Sequence, residues 1–293
     1  MLTYSIFGIG EEMNKLAVLT TSVVGITGLY ILSLMPGKLR KNGFAPFENT
    51  YIAHRGLYDN SGDAPENSLK AFRKAVDAGF GIEMDVQITR DGKLVVFHDE
   101  TLKRMCGADA RLTDLTFEEL QQYTLADSEE RIPLFKDVFE IFRDKAPAVI
   151  EIKAHGNYIG TAKLLMHYLD GYNGDFLVQS FHPRLVHWLR KNRPDVLRGQ
   201  LSTVFDKSSK VPWVAKFVAT NLMTNFYTRP DFISYDVRHL DQFSYRLLRM
   251  LYKVEKAAWT IKSRDQLEEA KRSSNIFIFD SFDPRAAHRD NDR

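Results

Sequence analysis

The feature that most limits how this chain can fold is a regular alternation of short β-type runs with helical stretches. Runs rich in apolar, β-branched and aromatic residues recur from Tyr51 to Phe279, and helical periodicity fills most of the gaps between them. Such alternation is typical of a mainly parallel sheet covered by helices. The nine runs are Tyr51–His54, Ile82–Ile88, Leu94–His98, Ala148–Lys153, Phe176–Ser180, Leu197–Leu201, Phe232–Asp236, Ala257–Ile261 and Ile276–Phe279.

The number of runs and the length of the chain together predict a TIM (β/α)8 barrel. Residues 50–293 are close in number to the roughly 250 residues typical of that fold. Nine runs for eight places require that at least one run is a hairpin return or lies outside the barrel, and the sequence does not say which. An open doubly wound sheet is the alternative, but no glycine-rich phosphate loop follows the first run.

Two stretches depart from the alternation. Between His98 and Pro133 the only regular signal is a helix-like segment that starts with Thr116 and Glu119 in the spacing of a capping box. This predicts a small insertion at about residues 100–132. The second stretch, Asp206–Pro230, combines lysines with aromatic residues. An ordinary solvated helix and loop is the favoured interpretation of it, and contact with a membrane surface is the alternative.

The N-terminal segment carries a different signal. Leu16 to Met35 is a run of twenty residues without a charged side chain, and twenty helical residues span roughly 30 Å, the thickness of the hydrocarbon core of a bilayer. A cleaved signal peptide fits poorly, because Glu11 and Glu12 precede the run and no small-x-small pattern follows it. A buried core helix is the other alternative. Residues 1–49 are therefore predicted to form a transmembrane anchor, spanning about 16–35, and a linker.

The charges beside this run predict its orientation. Lys38, Arg40 and Lys41 follow the run, whereas Lys15 precedes it. Cytoplasmic loops carry the excess of basic residues in membrane proteins. The expectation is a single-pass membrane protein whose barrel lies on the cytoplasmic side.

Composition excludes several other classes of protein. The chain has 40 basic and 38 acidic side chains, so it lacks the basic excess of a dedicated nucleic-acid binder. Its single cysteine, Cys106, excludes an intramolecular disulfide and a zinc site built from cysteines.

A cluster of ionisable residues is predicted where two of the runs meet. Asp91-Gly92 between alternating runs is a strong hairpin signal. If these two residues form the loop, Asp85 lies opposite His98, and Glu83 shares the face of Asp85. Two carboxylates and an imidazole then converge. Because the neighbouring valines and isoleucine favour burial, such a cluster needs a cation.

Two further strand ends carry groups that suit phosphate chemistry. His54 is followed by Arg55, a residue type suited to bidentate phosphate recognition, and by Gly56, which lets the backbone approach a ligand closely. Glu151 and Lys153 share one face of an apolar run, and polar side chains at the carboxyl ends of barrel strands point into the active-site mouth. A salt bridge is the alternative role of that pair. Burial favours a metal ligand beside a phosphate-binding lysine.

Together these motifs resemble those of the glycerophosphodiester phosphodiesterase family, from Tyr51 to about Asp280. The motifs of that family stand here as His54-Arg55-Gly56, Pro65-Glu66-Asn67-Ser68, Glu83-Met84-Asp85-Val86, Phe97-His98-Asp99 and Glu151-Ile152-Lys153. Gln179-Ser180-Phe181 and Trp259-Thr260 resemble its later strand ends. The end of the chain departs from the family, because Phe279-Asp280-Ser281-Phe282 stands where an Ile-Thr-Asp-Tyr-Pro-like sequence is usual.

The resemblance implies a metal-dependent hydrolase that releases glycerol 3-phosphate and an alcohol from a glycerophosphodiester, in a membrane-anchored member of bacterial type. A lysophospholipase D that acts on lipid phosphodiesters and a non-catalytic membrane-anchored binding protein are the alternatives. The second alternative is disfavoured because every expected polar residue is present. By resemblance, His54 and His98 form the acid–base pair, Glu83, Asp85 and Glu151 hold one divalent cation, Mg²⁺ or Ca²⁺, and Arg55, Lys153 and Trp259 contact the substrate.

Overall fold

The computed structural model describes residues 2–40, 43–48, 50–206 and 211–286, with the backbone alone for residues 2–16. Its helices are α1 (Leu2–Ser33), α2 (Ala45–Glu48), α3 (Leu69–Asp77), α4 (Lys103–Cys106), α5 (Phe117–Leu120), α6 (Phe135–Phe142), α7 (Tyr158–Leu169), α8 (Pro183–Asn192), α9 (Trp213–Thr220), α10 (Asn225–Thr228), α11 (Phe243–Leu251) and α12 (Arg264–Lys271). Its strands are β1 (Tyr51–Ala53), β2 (Gly81–Ile88), β3 (Leu94–Val96), β4 (Ala148–Ile152), β5 (Phe176–Ser180), β6 (Arg198–Ser202), β7 (Phe232–Asp236), β8 (Glu255–Ile261) and β9 (Ile276–Phe279).

Eight of the strands close into a parallel barrel, as the alternation predicts. The order is β1, β2, β4, β5, β6, β7, β8 and β9, and β9 pairs with β1 to complete the ring. Most residues of the ring strands are buried, because helices cover the outside and side chains fill the inside. Helices lie in most of the gaps between the strands, as the periodicity predicts.

The ninth strand, β3, is the hairpin return that the count of runs requires. It pairs antiparallel with β2 outside the ring, with Val86 opposite Val96. The predicted register is wrong by one residue: Phe97, not His98, lies opposite Asp85 and donates its N–H to the Asp85 carbonyl at 2.8 Å. The loop has three residues rather than two, and Gly92 supplies the left-handed conformation (φ +75°) that such loops use.

The chain after β3 makes the predicted excursion and forms a small core of its own. The capping box is confirmed: the Thr116 hydroxyl accepts from the Glu119 N–H, and the Glu119 carboxylate accepts from the Thr116 N–H at 2.7 Å. The core of the excursion consists of buried side chains that extend from the end of the hairpin to the start of α6. They are Val95, Phe97, Leu102, Met105, Leu112, Leu120, Leu125 and Ile132.

The amino end of the barrel is closed by residues that precede the first strand. Phe44 and Phe47, beside and within α2, are fully buried and pack against Ile52 and Phe232. The Phe44 and Phe232 rings meet edge to face, with their centroids 5.9 Å apart. The described part of the predicted linker is therefore a plug in the bottom of the barrel.

The carboxyl-terminal end of α1 packs on the side of the barrel. The Tyr30 hydroxyl lies 2.5 Å from the Ser244 hydroxyl on α11, and the Tyr252 hydroxyl donates to the Ile31 carbonyl at 2.8 Å. Leu34 is fully buried. The Arg40 guanidinium forms an ion pair with Asp231 at 2.6 Å and donates to backbone carbonyls of residues 194–196, whereas Lys41 lies outside the described residues.

The earlier part of α1 has the opposite character. From Ala17 to Leu32 most side chains are exposed, so the alternative of a buried core helix does not describe this stretch. Its exposed large apolar residues are Val18, Leu19, Val23, Val24, Ile26, Leu29 and Leu32. Within the described residues, no helix combines the length and the apolarity that crossing a membrane requires. The membrane anchor stays a prediction.

Candidate active site

Three carboxylates lie together near the carboxyl ends of neighbouring strands. Glu83 and Asp85 project from β2, and Glu151, the register partner of Asp85, projects from β4. One carboxylate oxygen of each lies within 4.8 Å of the other two, and all three side chains are buried. Hard oxygen ligands at this spacing suit a divalent cation such as Mg²⁺ or Ca²⁺.

The charge balance of this carboxylate cluster favours a further cation. Lys153 lies 2.7 Å from Glu151 and 3.2 Å from Asp85, and the Arg55 guanidinium lies 3.3 Å from Asp85. Burial alone would raise the pKa of Asp85, but these two cations and His98 lower it. Burial, reinforced by Asp85 and Glu151, raises the pKa of Glu83 well above its usual range. Two cations therefore do not neutralise the third carboxylate, and a divalent cation would.

His54 stands directly after β1, and a carboxylate that the sequence analysis missed holds it. Its Nδ1 lies 3.3 Å from Asp280 Oδ2, while its Nε2 faces Glu83 at 4.0 Å. Burial lowers the pKa of His54, and the hydrogen bond with Asp280 opposes that effect. Asp280 also accepts from the Tyr58 hydroxyl, and the hydrogen bond from His54 helps to hold its pKa at about 2. Because Asp280 holds Nδ1, the other nitrogen faces the carboxylate cluster.

His98 is held in the same way. Its Nδ1 lies 2.6 Å from Asp99 Oδ1. Asp99 is held in turn by Arg104, and Arg104 pairs with Glu66, which also pairs with Arg55 at 2.6 Å. His98 reaches the site from the loop after β3 rather than from the strand itself. This network of ion pairs joins that loop to the loop after β1.

The loop after β1 has a specific backbone conformation. Arg55 and Gly56 both have positive φ angles, 56° and 84°. A Cβ on Gly56 would lie 2.8 Å from the backbone of Ala71 in α3, so the glycine is needed for packing against this helix. Close approach of a ligand to the backbone at Gly56 stays a prediction. The turn directs the Arg55 side chain towards Asp85 and Glu66.

The motif before α3 organises the site rather than taking part in it directly. Asn67, also left-handed at φ 59°, donates to Asp85 Oδ2 at 2.9 Å. Ser68 caps α3 by accepting from the Ala71 N–H. Glu66 pairs with Arg55 and Arg104. The Pro65-Glu66-Asn67-Ser68 motif therefore caps α3 and orients charged residues of the site.

Aromatic side chains form one wall of the mouth. The Phe181 ring lies 5.5 Å from the Trp259 ring and 6.2 Å from the Phe205 ring, edge to face in both cases. Phe181 and Phe205 help to line a cavity of about 710 Å³ that reaches His98 and Lys153. The Trp259 Nε1 is buried and makes no hydrogen bond within the described part of the chain. We call Phe181, Phe205 and Trp259 the aromatic wall.

With this geometry in place, comparison with known proteins identifies the family. The family model for the glycerophosphoryl diester phosphodiesterase family matches residues 54–274, most of the chain. The chain belongs to the glycerophosphoryl diester phosphodiesterase family. A solved glycerophosphodiester phosphodiesterase structure from Thermotoga maritima is 26% identical, with a TM-score of 0.60, and the match covers 79% of this chain and 94% of that one.

Two curated relatives match a shorter stretch. A glycerophosphodiester phosphodiesterase from Caldanaerobacter subterraneus is 37% identical over 161 residues, 51% of this chain and 65% of that protein. A lysophospholipase D from Homo sapiens is 34% identical over 143 residues, 44% of either chain. The chain thus matches less than two thirds of the length of these relatives.

All eight residues singled out from the sequence of this glycerophosphoryl diester phosphodiesterase family member meet in one place. Seven of them line a single small cavity of about 50 Å³, and Asp85 contacts two of those seven. Asp280 is the functional candidate that was missed. It follows β9, and its position beside His54 depends on the closing pair of the ring, β1 with β9. The seven residues are His54, Arg55, Glu83, His98, Glu151, Lys153 and Trp259.

Proposed function

We propose that this protein is a metal-dependent phosphodiester hydrolase that cleaves glycerophosphodiesters to glycerol 3-phosphate and an alcohol. The observation that carries the proposal is the pairing of the carboxylate cluster with two histidines, His54 and His98, whose Nδ1 atoms are each held by a carboxylate. A phosphodiester is an anion that repels nucleophiles and has a poor alkoxide leaving group. The cationic side chains of the site can offset the negative charge of the phosphodiester, and the two histidines can transfer the protons that the nucleophile and the leaving group require.

The two histidines divide the proton transfers in this proposal. His54 Nε2 takes the proton of the attacking hydroxyl, because burial favours the neutral imidazole that a base needs. His98 gives a proton to the departing alcohol. Each transfer is typically worth ~10²–10⁴ in rate. The attacking group is water or a neighbouring glycerol hydroxyl.

Cationic side chains act on the phosphoryl oxygens beside the carboxylates that would hold a divalent cation. A divalent cation held by Glu83, Asp85 and Glu151 supplies Lewis-acid neutralisation of the phosphate charge when bound. Arg55 and Lys153 orient the phosphate, and the Trp259 Nε1 is a buried donor beside it. Asn67 keeps Asp85 oriented for its role.

Product analysis tests this function directly. Glycerophosphocholine should yield glycerol 3-phosphate and choline, excess chelator should abolish turnover, and Mg²⁺ or Ca²⁺ should restore it. Glu151→Gln keeps the shape of the ligand but removes its charge and should lose activity, whereas Glu140→Gln, on the exposed face of α6, should not. Full activity in excess chelator would remove the metal from the proposal. Choline phosphate and glycerol as the products would place the cleavage on the other ester bond.

Lysophospholipids are the second candidate substrate, and the aromatic wall favours them. An apolar surface beside the phosphate site can receive an acyl chain, which a glycerophosphodiester lacks. The similarity to a lysophospholipase D adds support. Replacing Phe205 by serine should then lower kcat/KM for lysophosphatidylcholine and leave that for glycerophosphocholine unchanged. An equal effect on both substrates would exclude an acyl site at this wall.

We also propose that the N-terminal helix attaches the protein to a membrane as a single-pass anchor, with the barrel on the cytoplasmic side. The charge-free run and the exposed apolar side chains of α1 support attachment, and the basic residues after the run support the sidedness. The full chain should sediment with membranes through alkaline carbonate washing. Protease should remove the barrel only after the cells are opened, and loss of the barrel from intact cells would reverse the sidedness.

A further inference from the structure

Helix α9 is apolar but packs against very little of the protein. It reads Trp-Val-Ala-Lys-Phe-Val-Ala-Thr, and none of its residues is buried. Trp213 is 79% exposed, and Val214 and Phe217 are more than half exposed. These three lie three or four residues apart, or adjacent, so they share one face of the helix. A helix with an apolar face normally buries it, and this one has nothing within the described residues to bury it against.

The contacts of α9 place it at the mouth of the barrel. Its last residues are level with the carboxyl end of β6, because Ser202 donates to the Ala219 carbonyl and Thr220 donates to the Thr203 carbonyl. The segment that joins β6 to α9 carries Phe205 of the aromatic wall. The exposed apolar face of α9 is therefore on the active-site side of the molecule.

The direction of α1 brings a second apolar surface to the same side. Tyr30 contacts Ser244, and Ser244 donates to Asn221, which directly follows α9. The chain then descends towards the amino end, where the Gly37 N–H donates to the Pro230 carbonyl before β7 starts. Residues before Tyr30 continue in the opposite direction, at about 1.5 Å per residue. Val18 precedes Tyr30 by twelve residues, about 18 Å of helix, so the exposed apolar side chains near Val18 lie beyond the level of the mouth.

We propose that the carboxyl face of the barrel, with the active-site mouth, rests against a lipid bilayer, and that Trp213, Val214 and Phe217 of α9 enter its interface. This proposal depends on the membrane attachment inferred above but not on the hydrolase activity. The mouth then opens at the headgroup level, where a lipid-derived phosphodiester reaches the site without crossing water.

A bilayer fits these surfaces better than a protein partner does. The exposed apolar residues of α1, such as Val18, Leu19, Val23 and Val24, point in all directions around the helix axis rather than along one stripe. A protein partner covers a stripe, whereas lipid covers the whole circumference. Tryptophan is enriched at the boundary between lipid and water, and Lys216, with its amine bound to the Asp206 carbonyl, adds a cation beside it.

The test measures which surface of the full chain contacts lipid. Cys106 is the only cysteine, so Cys106→Ser gives a background in which Trp213→Cys and Met250→Cys each carry one environment-sensitive fluorophore. Met250 is the matched control, because it is also 79% exposed but lies near the carboxyl-terminal end of α11, which is at the amino end of the barrel, beside Lys256 at the start of β8. In phosphatidylcholine vesicles, the probe at 213 should shift to shorter wavelength and be quenched by doxyl-labelled lipid, and the probe at 250 should do neither.

Each other outcome overturns the proposal in a distinguishable way. Quenching at 250 alone would show that the opposite end of the barrel faces the membrane. Quenching at neither site in vesicle-bound protein would show that the anchor attaches the protein but the mouth does not contact the membrane. A shift at 213 that lipid quenchers do not reach would indicate a second copy of the chain as the partner. Failure to bind vesicles would reject attachment and orientation together, while turnover of glycerophosphocholine in the same sample reports separately on the hydrolase.

Enzyme activity provides a second test of the difference between α9 and the control position Met250. Replacing both Trp213 and Phe217 by serine should lower the hydrolysis of lysophosphatidylcholine in vesicles several-fold and leave hydrolysis of soluble glycerophosphocholine unchanged. Met250→Ser should change neither rate. An equal loss on both substrates would mean that α9 acts on the fold of the site and not on lipid contact.

Discussion

The two ends of this barrel are filled by different kinds of side chain, mainly charged at the carboxyl end and mainly aromatic and aliphatic at the amino end. At the carboxyl end, three buried carboxylates, Lys153 and Arg55 crowd together, and Arg55 and Asn67 have left-handed backbone conformations. At the amino end, Phe44 and Phe47 fill the barrel with aromatic rings and aliphatic chains, and the buried charges of Arg198 and Asp231 pair with each other at 3.2 Å. The carboxyl end carries groups that cost folding energy, and the amino end contributes packing that offsets the cost.

This contrast means that substitutions at the two ends should separate activity from stability. Removing a charged group at the carboxyl end should reduce turnover with little loss of stability. Removing a ring at the amino end should do the reverse. Single substitutions at each end can test this separation.

The largest effect is expected at the two histidines. His54→Ala and His98→Ala should each lower turnover of glycerophosphocholine by ~10²–10⁴ with an unchanged midpoint of thermal unfolding. The nitrophenolate released from a nitrophenyl phosphodiester leaves without protonation. On that substrate the rate of His98→Ala should therefore fall much less, whereas the rate of His54→Ala should fall equally on both substrates. His187→Ala, whose ring stacks on Tyr227 away from the site, is the control. Equal rescue of both variants would show that the two roles are not divided.

The next effect concerns the plug. Phe44→Ala should lower the free energy of unfolding by about 3–5 kcal/mol, because it opens a cavity where Phe44 meets Phe232. The folded protein should keep its kcat at low temperature. Phe243→Ala, at a ring that is 68% exposed, should change stability by less than about 0.5 kcal/mol. Denaturant titration measures both, and a fall in kcat of folded Phe44→Ala would contradict the separation of the two ends.

A smaller effect is expected from the carboxylate behind His54. Asp280→Asn keeps the shape but weakens a hydrogen bond to a charged group, a loss of about 1.5–3 kcal/mol, so kcat should fall roughly 10- to 150-fold with KM unchanged. Asp283→Asn, an exposed carboxylate three residues later, should retain full activity. A rise in KM with constant kcat would instead assign Asp280 to substrate binding.

The smallest effect lies in the excursion. Thr116→Ala removes the cap of α5 and should lower stability by about 1 kcal/mol, leaving turnover intact. Amide hydrogen exchange should quicken around residues 117–120, and Gln122→Ala, on an exposed side chain nearby, should change neither measurement. Loss of activity in Thr116→Ala would show that the excursion supports the site directly.

The sequence predicts the barrel and the convergence of the candidate site residues, because both depend on local patterns. Alternating runs define strands and helices, and motifs such as Glu83-Met84-Asp85 place side chains on one face by the period of a strand. The register of the hairpin fails because Asp91-Gly92 is compatible with two- and three-residue loops. The cluster survives this error, since His98 leaves β3 and approaches from a loop.

Other features depend on contacts that no local pattern contains. Asp280 reaches His54 across 226 positions of the chain, because β9 closes on β1. The sequence around Phe44 and Phe47 resembles an ordinary linker. Its role as a plug depends on the closed barrel of strands against which these two side chains pack. From the sequence, Arg40 is interpreted as a basic residue that flanks a membrane span. In the structure it forms an ion pair with Asp231, and a count of basic residues does not reveal that partner.

The attachment of α1 to the barrel has a consequence for the order of events on the ribosome. The partners of its base are made long after it: Ser244 follows Tyr30 by 214 residues, and Asp231 follows Arg40 by 191. At about 5–20 residues per second, translation leaves an interval of roughly 10–40 s between the helix and its docking surface. For most of that interval the apolar helix has no docking surface on the barrel, because β7 and α11 do not yet exist. Whatever receives the helix therefore acts first, and the barrel assembles against a helix already in place.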